Sequence, residues 1–349
     1  MMFSARYLRP SQSLPSYLLH PARIRSHYGR LFSSTSSTSD GTNQEEGEEK
    51  GQSRSRRRIR VVSCDVTGTL VSFLGKIEHH YGNAARTCGV TLPPTKISSI
   101  GPCFNRAYVE TSMSYPCFGN SEISAKDWWR RCVGRSFELV GTSMTEEEQE
   151  RVFQRVYSKF GSHAAYGVFP DAIPFLKWCH RRGIVTGVVS NADERYGDSI
   201  LPMLGLGDDM RFLTFSKNVG FEKPGKEIFQ AAMKQSEPWL CLVNNFDRDN
   251  NNNDDPLDSS KNNNNSPSSP SPPLKPEEVL HIGNDFKKDY IGAKNAGFHA
   301  VLLDRYDEKE LAKSWRQKGA PVFKDLVDVV EYLGHERFEL GPLRTSSSE

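Results

Sequence analysis

The chain has 349 residues, with 45 Lys and Arg against 43 Asp and Glu, for a formal net charge of +2. That length holds one large or two modest domains, and so even a balance gives no bulk electrostatic case for a nucleic-acid partner. Hydrophobic residues make up 36% and mean hydropathy is −0.59. Part of the chain therefore lacks the composition of a packed core, and no stretch has the unbroken apolar length needed to span a bilayer.

From Met1 to Ser39 there is no Asp, Glu or Lys, while Arg6, Arg9, Arg23, Arg25 and Arg30 stand among many serines. This composition predicts an organellar import signal. Arg30-Leu31-Phe32-Ser33-Ser34 favours the mitochondrion. The chloroplast is the alternative, since the Ser/Thr run that follows would suit it, and cytoplasm or nucleus is less favoured. Residues 40–58 mix acidic and basic side chains and read as a solvated linker, with the basic run Arg56-Arg57-Arg58 taken as a charged flank rather than a nuclear signal. Residues 1–58 are thus assigned to address and disordered linker.

The pattern changes at Ile59. Ile59 to Cys64 is a short β-branched run ending in Asp65-Val66-Thr67-Gly68-Thr69-Leu70, as expected of a buried strand followed by a loop. Residues 77–165 show helical spacing and no buried strand, and are read as an inserted helical cap. Beyond it, 171–182 is a predicted helix, 184–190 a strand, 193–204 a helix, 211–216 a strand and 226–234 a helix. Residues 278–283 form the next predicted strand, 287–296 a helix and 299–304 the last clear strand. Strands alternating with helices predict an α/β fold, a Rossmann-like parallel sheet flanked by helices, made of 59–76 plus 166–335. Residues 244–276, rich in Asn, Ser and Pro, are read as a disordered insert without a chemical role, and 336–349 as a tail. Seven cysteines at irregular spacing, with no CxxC pair, argue for reduced thiols rather than a disulfide framework or a zinc site.

Ligands in such sheets bind beyond the carboxyl ends of the strands. Four features stand there: Asp65 after the first strand, Ser190-Asn191 after the second, Lys223-Pro224 after the third, and Gly283-Asn284-Asp285 with Asp289 after the fourth. Singly, each has a plainer reading. Ser190-Asn191 makes a turn, Lys223 a surface lysine, Asp285 a helix N-cap and Asp289 an ordinary helix residue.

In this order, with an insert between the first two, the set resembles the haloacid dehalogenase superfamily over about residues 59–335. With Trp128-Trp129 in the insert, it resembles the group described as domain-containing protein 3 or rhythmically-expressed-gene-2-like. The resemblance implies a hydrolase with a Rossmann-like core and helical cap, acting on a small phosphorylated metabolite with Mg2+. Asp65 would be the nucleophile, with Ser190 and Lys223 as further catalytic residues. Asp65, the Thr67 carbonyl and Asp285 would hold the metal, and Asp289 would orient this set from behind. Thr69 and Asn191 would bind or brace on the substrate side. No nucleic-acid or membrane partner is implied, and oligomeric state is left open.

One position departs from the pattern. Two residues after the nucleophile most phosphatases of the superfamily carry a second Asp, which acts as acid and base. Here Thr67 stands there, and a hydroxyl does no general acid–base work near neutral pH. A slow phosphatase is one expectation, with Glu78, His79 or His80 of the cap as candidate substitute donors. A catalytically weak binding or regulatory protein is the second. A metal-independent dehalogenase is the third, disfavoured by the acidic pair Asp285 and Asp289.

Overall fold

The computed structural model describes residues 57–251, 272–334 and 338–339. The expected import signal and most of the Asn/Ser/Pro-rich insert lie outside these residues.

The core is a six-stranded, wholly parallel sheet. Its strands are β1 (Val61–Cys64), β4 (Val185–Ser190), β5 (Phe212–Phe215), β6 (Val279–Gly283), β7 (His299–Leu303) and β8 (Val322–Phe323), in the spatial order β5-β4-β1-β6-β7-β8. All four residues of β1, all six of β4 and all five of β6 are buried, as a sheet covered on both faces requires. The chain winds outward from β1 through β4 to β5, then returns to start β6 on the other flank of β1. The order of strands therefore reverses at the β1–β6 boundary, the place at which open parallel sheets bind ligands beyond the carboxyl ends of the strands. Pairing places Cys64 beside Ile282 and Val188.

A short antiparallel pair, β2 (Val71–Phe73) with β3 (Tyr166–Val168), forms the neck of the insertion. Between them run α1 (Ile77–Thr87), α2 (Pro94–Ser114), α3 (Ala125–Leu139) and α4 (Glu146–Lys159). The α3 helix begins where Ser124 accepts the Asp127 N–H, and α4 where Thr145 and Glu148 form a reciprocal capping box. These helices bury their own cluster around Tyr81, Phe104, Trp128, Phe137 and Phe153, separate from the clusters of the sheet. The inserted helical cap expected from the sequence is present.

Four boundaries differ from expectation. The helix predicted over 226–234 is α6 (Lys226–Asn251), which continues past Pro238 into the stretch assigned to the insert. At the far side the chain is anchored again before residue 277, because Leu274 is buried against the sheet and Glu278 accepts from the Lys275 N–H. The strand over 299–304 is not the last, since β8 follows; two residues are too short to leave a periodic signal. Arg57–Arg58 pair in parallel with Phe338–Glu339, so neither the linker nor the tail is wholly outside the fold. Phe338 is buried against the core, which explains why this pairing forms at all. Helices α5 (Ala172–Arg181), α7 (Lys309–Gln317) and α8 (Leu326–Gly334) complete the layers.

Candidate active site

The β1–β6 boundary collects the residues marked in the sequence. Asp65 follows β1 and is fixed by its own N–H, which donates to the Ile282 carbonyl at 2.9 Å. Its Oδ1 accepts the Ser190 hydroxyl at 2.8 Å and the Lys223 ammonium at 2.9 Å. Lys223 has no surface on its side chain. Its other donors go to Asp289 Oδ1 at 2.7 Å and to the Val189 carbonyl at 2.8 Å. All three ammonium protons are thus used, and the lysine is not a surface residue. Burial works against the charged ammonium, but Asp289 and Asp65 outweigh it and hold its pKa above the usual lysine value.

Asp289 is the hub beneath. Its Oδ2 accepts the N–H groups of Asn284 and Asp285, at 2.9 and 2.8 Å. Burial alone would raise its pKa, yet Lys223 and then His281 hold the carboxyl far below the ordinary range. His281 in turn faces Ser63 across the β1–β6 boundary at 2.9 Å, and burial pushes its pKa down. Gly283 lets this happen: a Cβ there would lie 2.1 Å from Asp289 Cγ. Asp285 does cap a helical turn, its Oδ1 accepting from Lys287 and Lys288 N–H. Like Asp65 it stands at the reversal of strand order.

The remaining marked residues are placed as follows. The side chain of Asn191, whose expected role falls to its backbone N–H, serves Lys223. Its Oδ1 accepts the Lys223 N–H at 2.7 Å and its Nδ2 donates to the Lys223 carbonyl at 3.0 Å. Thr69 has no exposed surface and its hydroxyl has no hydrogen-bond partner, so its side chain is shut away from any ligand rather than presented to one. Its bracing is through the backbone: the Thr69 carbonyl accepts from Arg305 Nε and Nη2, at 3.2 and 2.7 Å, and Arg305 Nη1 bonds Asp171 at 2.6 Å. Of the candidate cap donors, His80 is committed to the Leu74 carbonyl at 2.6 Å, and burial lowers its pKa. The half-buried Thr67 meets Tyr196, the two hydroxyl oxygens being 3.2 Å apart.

Asp65, Asp285 and the Thr67 carbonyl, which the resemblance implies for a metal, would offer oxygen donors only. Among the described residues no group of three or more His, Cys, Asp or Glu side chains gathers as a metal cluster. A magnesium ion suits two carboxylates, a carbonyl and several waters. Asn284 Oδ1 is a buried acceptor with no hydrogen-bond partner, and its amide lies over Gly68 in the loop after β1. An orphaned oxygen at this place fits the hydration shell of such an ion.

The family model for haloacid dehalogenase-like hydrolases matches residues 59–297. The chain belongs to this family. Haloacid dehalogenase-like hydrolase domain-containing protein 3 of Mus musculus is 26% identical to this hydrolase over 71% of the chain and 83% of the mouse protein. Rhythmically expressed gene 2 protein of Drosophila melanogaster is 24% identical, covering 82% of the chain and 98% of the fly protein. A magnesium-bound HAD-hydrolase of Bacillus subtilis shares the fold, with a TM-score of 0.51 at 14% identity, over 80% of this chain and all of that one.

Several working parts of this hydrolase escaped the sequence. Tyr196, His281 and Arg305 come to the site from 129, 8 and 236 residues away from their partners Thr67, Asp289 and Thr69. Asn284 lies within the motif Gly283-Asn284-Asp285, but nothing in that motif assigns its amide a place. The cap touches the core through Trp129, whose Nε1 donates to Asp193 Oδ2 at 2.5 Å, and through Lys217, whose ammonium bonds the carbonyls of Phe118, Asn120 and Ile123. The tandem tryptophans split: Trp128 is buried inside the cap and donates to the Tyr115 carbonyl, while its neighbour turns to the core. Among the described residues no helix is long and apolar enough to cross a membrane.

Proposed function

We propose that this hydrolase is a magnesium-dependent phosphatase acting on a small phosphorylated metabolite through an aspartyl-phosphate at Asp65. The observation that carries the reading is one carboxylate at a strand-end reversal, bonded by both Ser190 and a buried lysine that Asp289 anchors. Asp65 forms an oxygen–phosphorus bond as the ester bond breaks, which splits one difficult step into two. Ser190 and the Asn191 N–H supply donors to the phosphoryl oxygens. Lys223 offsets the repulsion between carboxylate and phosphate. Asp65, the Thr67 carbonyl and Asp285 would hold magnesium, which supplies further positive charge at the transferring oxygens. The Asn191 side chain and Asp289 keep Lys223 in place rather than touching substrate.

Thr67 favours slow turnover. It neither protonates the leaving oxygen nor activates water, functions that contribute about 10²–10⁴-fold in enzymes that have them. The phosphoenzyme should therefore be long-lived. A phosphometabolite panel with the full chain, with and without magnesium, tests this beside Asp65→Asn. Expected are magnesium-dependent turnover, a phosphate trapped on Asp65 after acid quench, and loss of at least about a thousandfold in kcat for the variant. A folded, magnesium-binding protein that is silent on the panel and never labelled points instead to a binding or regulatory protein. Turnover of a 2-haloacid that survives chelation points to a dehalogenase. The arginine-rich, acid-free residues 1–39 lead us to place the enzyme in the mitochondrion, testable by the location of a fluorescent fusion.

A further inference from the structure

A cavity of about 70 Å³ lies where cap and core meet. Its cap side is formed by Tyr81, Phe104, Trp129 and Tyr157, and its core side by Tyr166 and Tyr196. Tyr196 is the link to the chemistry, since its hydroxyl stands 3.2 Å from Thr67 Oγ1, two residues from the nucleophile. The single charged side chain in the wall is Arg195, and it is already matched. Its Nε and Nη2 bond the two oxygens of Asp193 at 3.0 and 2.9 Å, and its guanidinium lies 4.2 Å from the centre of the Tyr157 ring. The wall is therefore aromatic and electrically neutral.

Three physical facts bear on what fills it. Ligand sites are concave and mostly apolar with a few polar groups at one end, and this space beside the loop after β1 has that form. An anionic or polyhydroxylated group entering this wall would lose water without gaining a free cation or a set of donors. The volume is about half of the ~150 Å³ that accepts a benzene ring, so it has room for roughly three to five carbon atoms.

We propose that this cavity seats the leaving group of the phosphate ester, and that the substrate class is the phosphate monoester of a short, uncharged, mainly hydrocarbon alcohol, rather than a sugar phosphate or a phosphorylated acid. The proposal rests on the phosphatase reading of Asp65 and narrows it. The phosphoryl group passes to Asp65 as its bond to the ester oxygen breaks; that oxygen takes a proton from water and leaves as the alcohol, with its hydrocarbon end against Phe104 and Trp129, and a second water later releases phosphate from Asp65. The neutral Asp193–Arg195 pair shapes the wall and binds no second anion.

The test uses the full chain with magnesium and a series of methyl, ethyl, propyl, butyl and hexyl phosphates, beside glycerol phosphate and phosphoglycolate. Acetyl phosphate serves as a separate, minimal donor for labelling Asp65. We expect kcat/KM to rise about fourfold per methylene up to propyl or butyl, to stop rising at hexyl, and to exceed the values for glycerol phosphate and phosphoglycolate. Val133→Phe, which fills the cavity from α3, should bring the butyl ester down to the methyl ester; should that variant not fold, the chain-length series of the parent decides alone. A flat series, or a preference for phosphoglycolate or glycerol phosphate, with Asp65 still labelled by acetyl phosphate, overturns the cavity proposal and leaves the phosphatase reading standing. No labelling by any donor and no hydrolysis overturns both.

Discussion

At the scale of single residues, the site is organised around one buried lysine. Lys223 is anchored at both ends: its backbone by Asn191, its ammonium by Asp65, Asp289 and the Val189 carbonyl. Removing one member of a buried charge network strands the others. Lys223→Met should therefore cost about 3–5 kcal/mol in urea unfolding and abolish labelling of Asp65. A variant as stable as the parent would mean that the network is not closed as described. His281 makes a second case. Burial lowers its pKa in the folded protein, so the unfolded chain takes up a proton that the folded one refuses. Its contribution is neutral above the ordinary histidine value of about 6.5 and destabilising below it. The melting temperature should fall as pH drops through that range, and His281→Asn should flatten this part of the curve; equal slopes in parent and variant would count against it. Asp65, Ser190, Lys223 and Asp285 were legible in the sequence because each follows a recognisable strand. The Asn191 amide and the His281–Ser63 contact were not, because they join segments 32 and 218 residues apart.

At the scale of elements, local chemistry and sequence agree where the signals are local. Thr145 and Glu148 make a capping box that starts α4. Thr145→Ala should lower stability by about 1 kcal/mol, read from thermal or urea unfolding, with little effect on chemistry at Asp65. The loop after β1 is less tolerant. Gly68 has φ +81°, and a Cβ there would lie 2.1 Å from Asn284 Nδ2. Gly68→Ala thus combines a left-handed backbone that costs a residue with a side chain about 1–2 kcal/mol with displacement of the Asn284 amide. Its expected signature is weaker magnesium binding by calorimetry, out of proportion to the loss in stability. The elements misjudged from sequence were the two-residue β8, too short to show a period, and the end of α6, where Pro238 and a polar composition mask a helix that continues.

At the scale of the molecule, the cap has its own core and meets the sheet domain through a few polar contacts as well as the aromatic wall around Tyr196. Lys217 bonds three carbonyls of the cap segment 118–123, and Cys117 N donates to Glu222, the neighbour of Lys223, at 3.0 Å. Cys117, Phe118 and Asn120 all have positive φ, an arrangement that persists only when its surroundings hold it. Lys217→Met should loosen this segment, seen as faster hydrogen exchange over 116–124 with exchange in β1 and β4 unchanged. Unchanged exchange in the segment would show that the ammonium does not hold it.

Hydrophobic period and residues adjacent along the chain specify the succession of strands and helices, the place of the insertion and the acidic, hydroxyl and lysine groups at the strand ends. Folding adds which face each of Trp128 and Trp129 takes, the burial of Thr69, the service of Asn191 to Lys223, and the neutral aromatic cavity bordered by Tyr196, the partner of Thr67. These outcomes come from pairing register and from packing between modules far apart in the chain, and no local pattern encodes them.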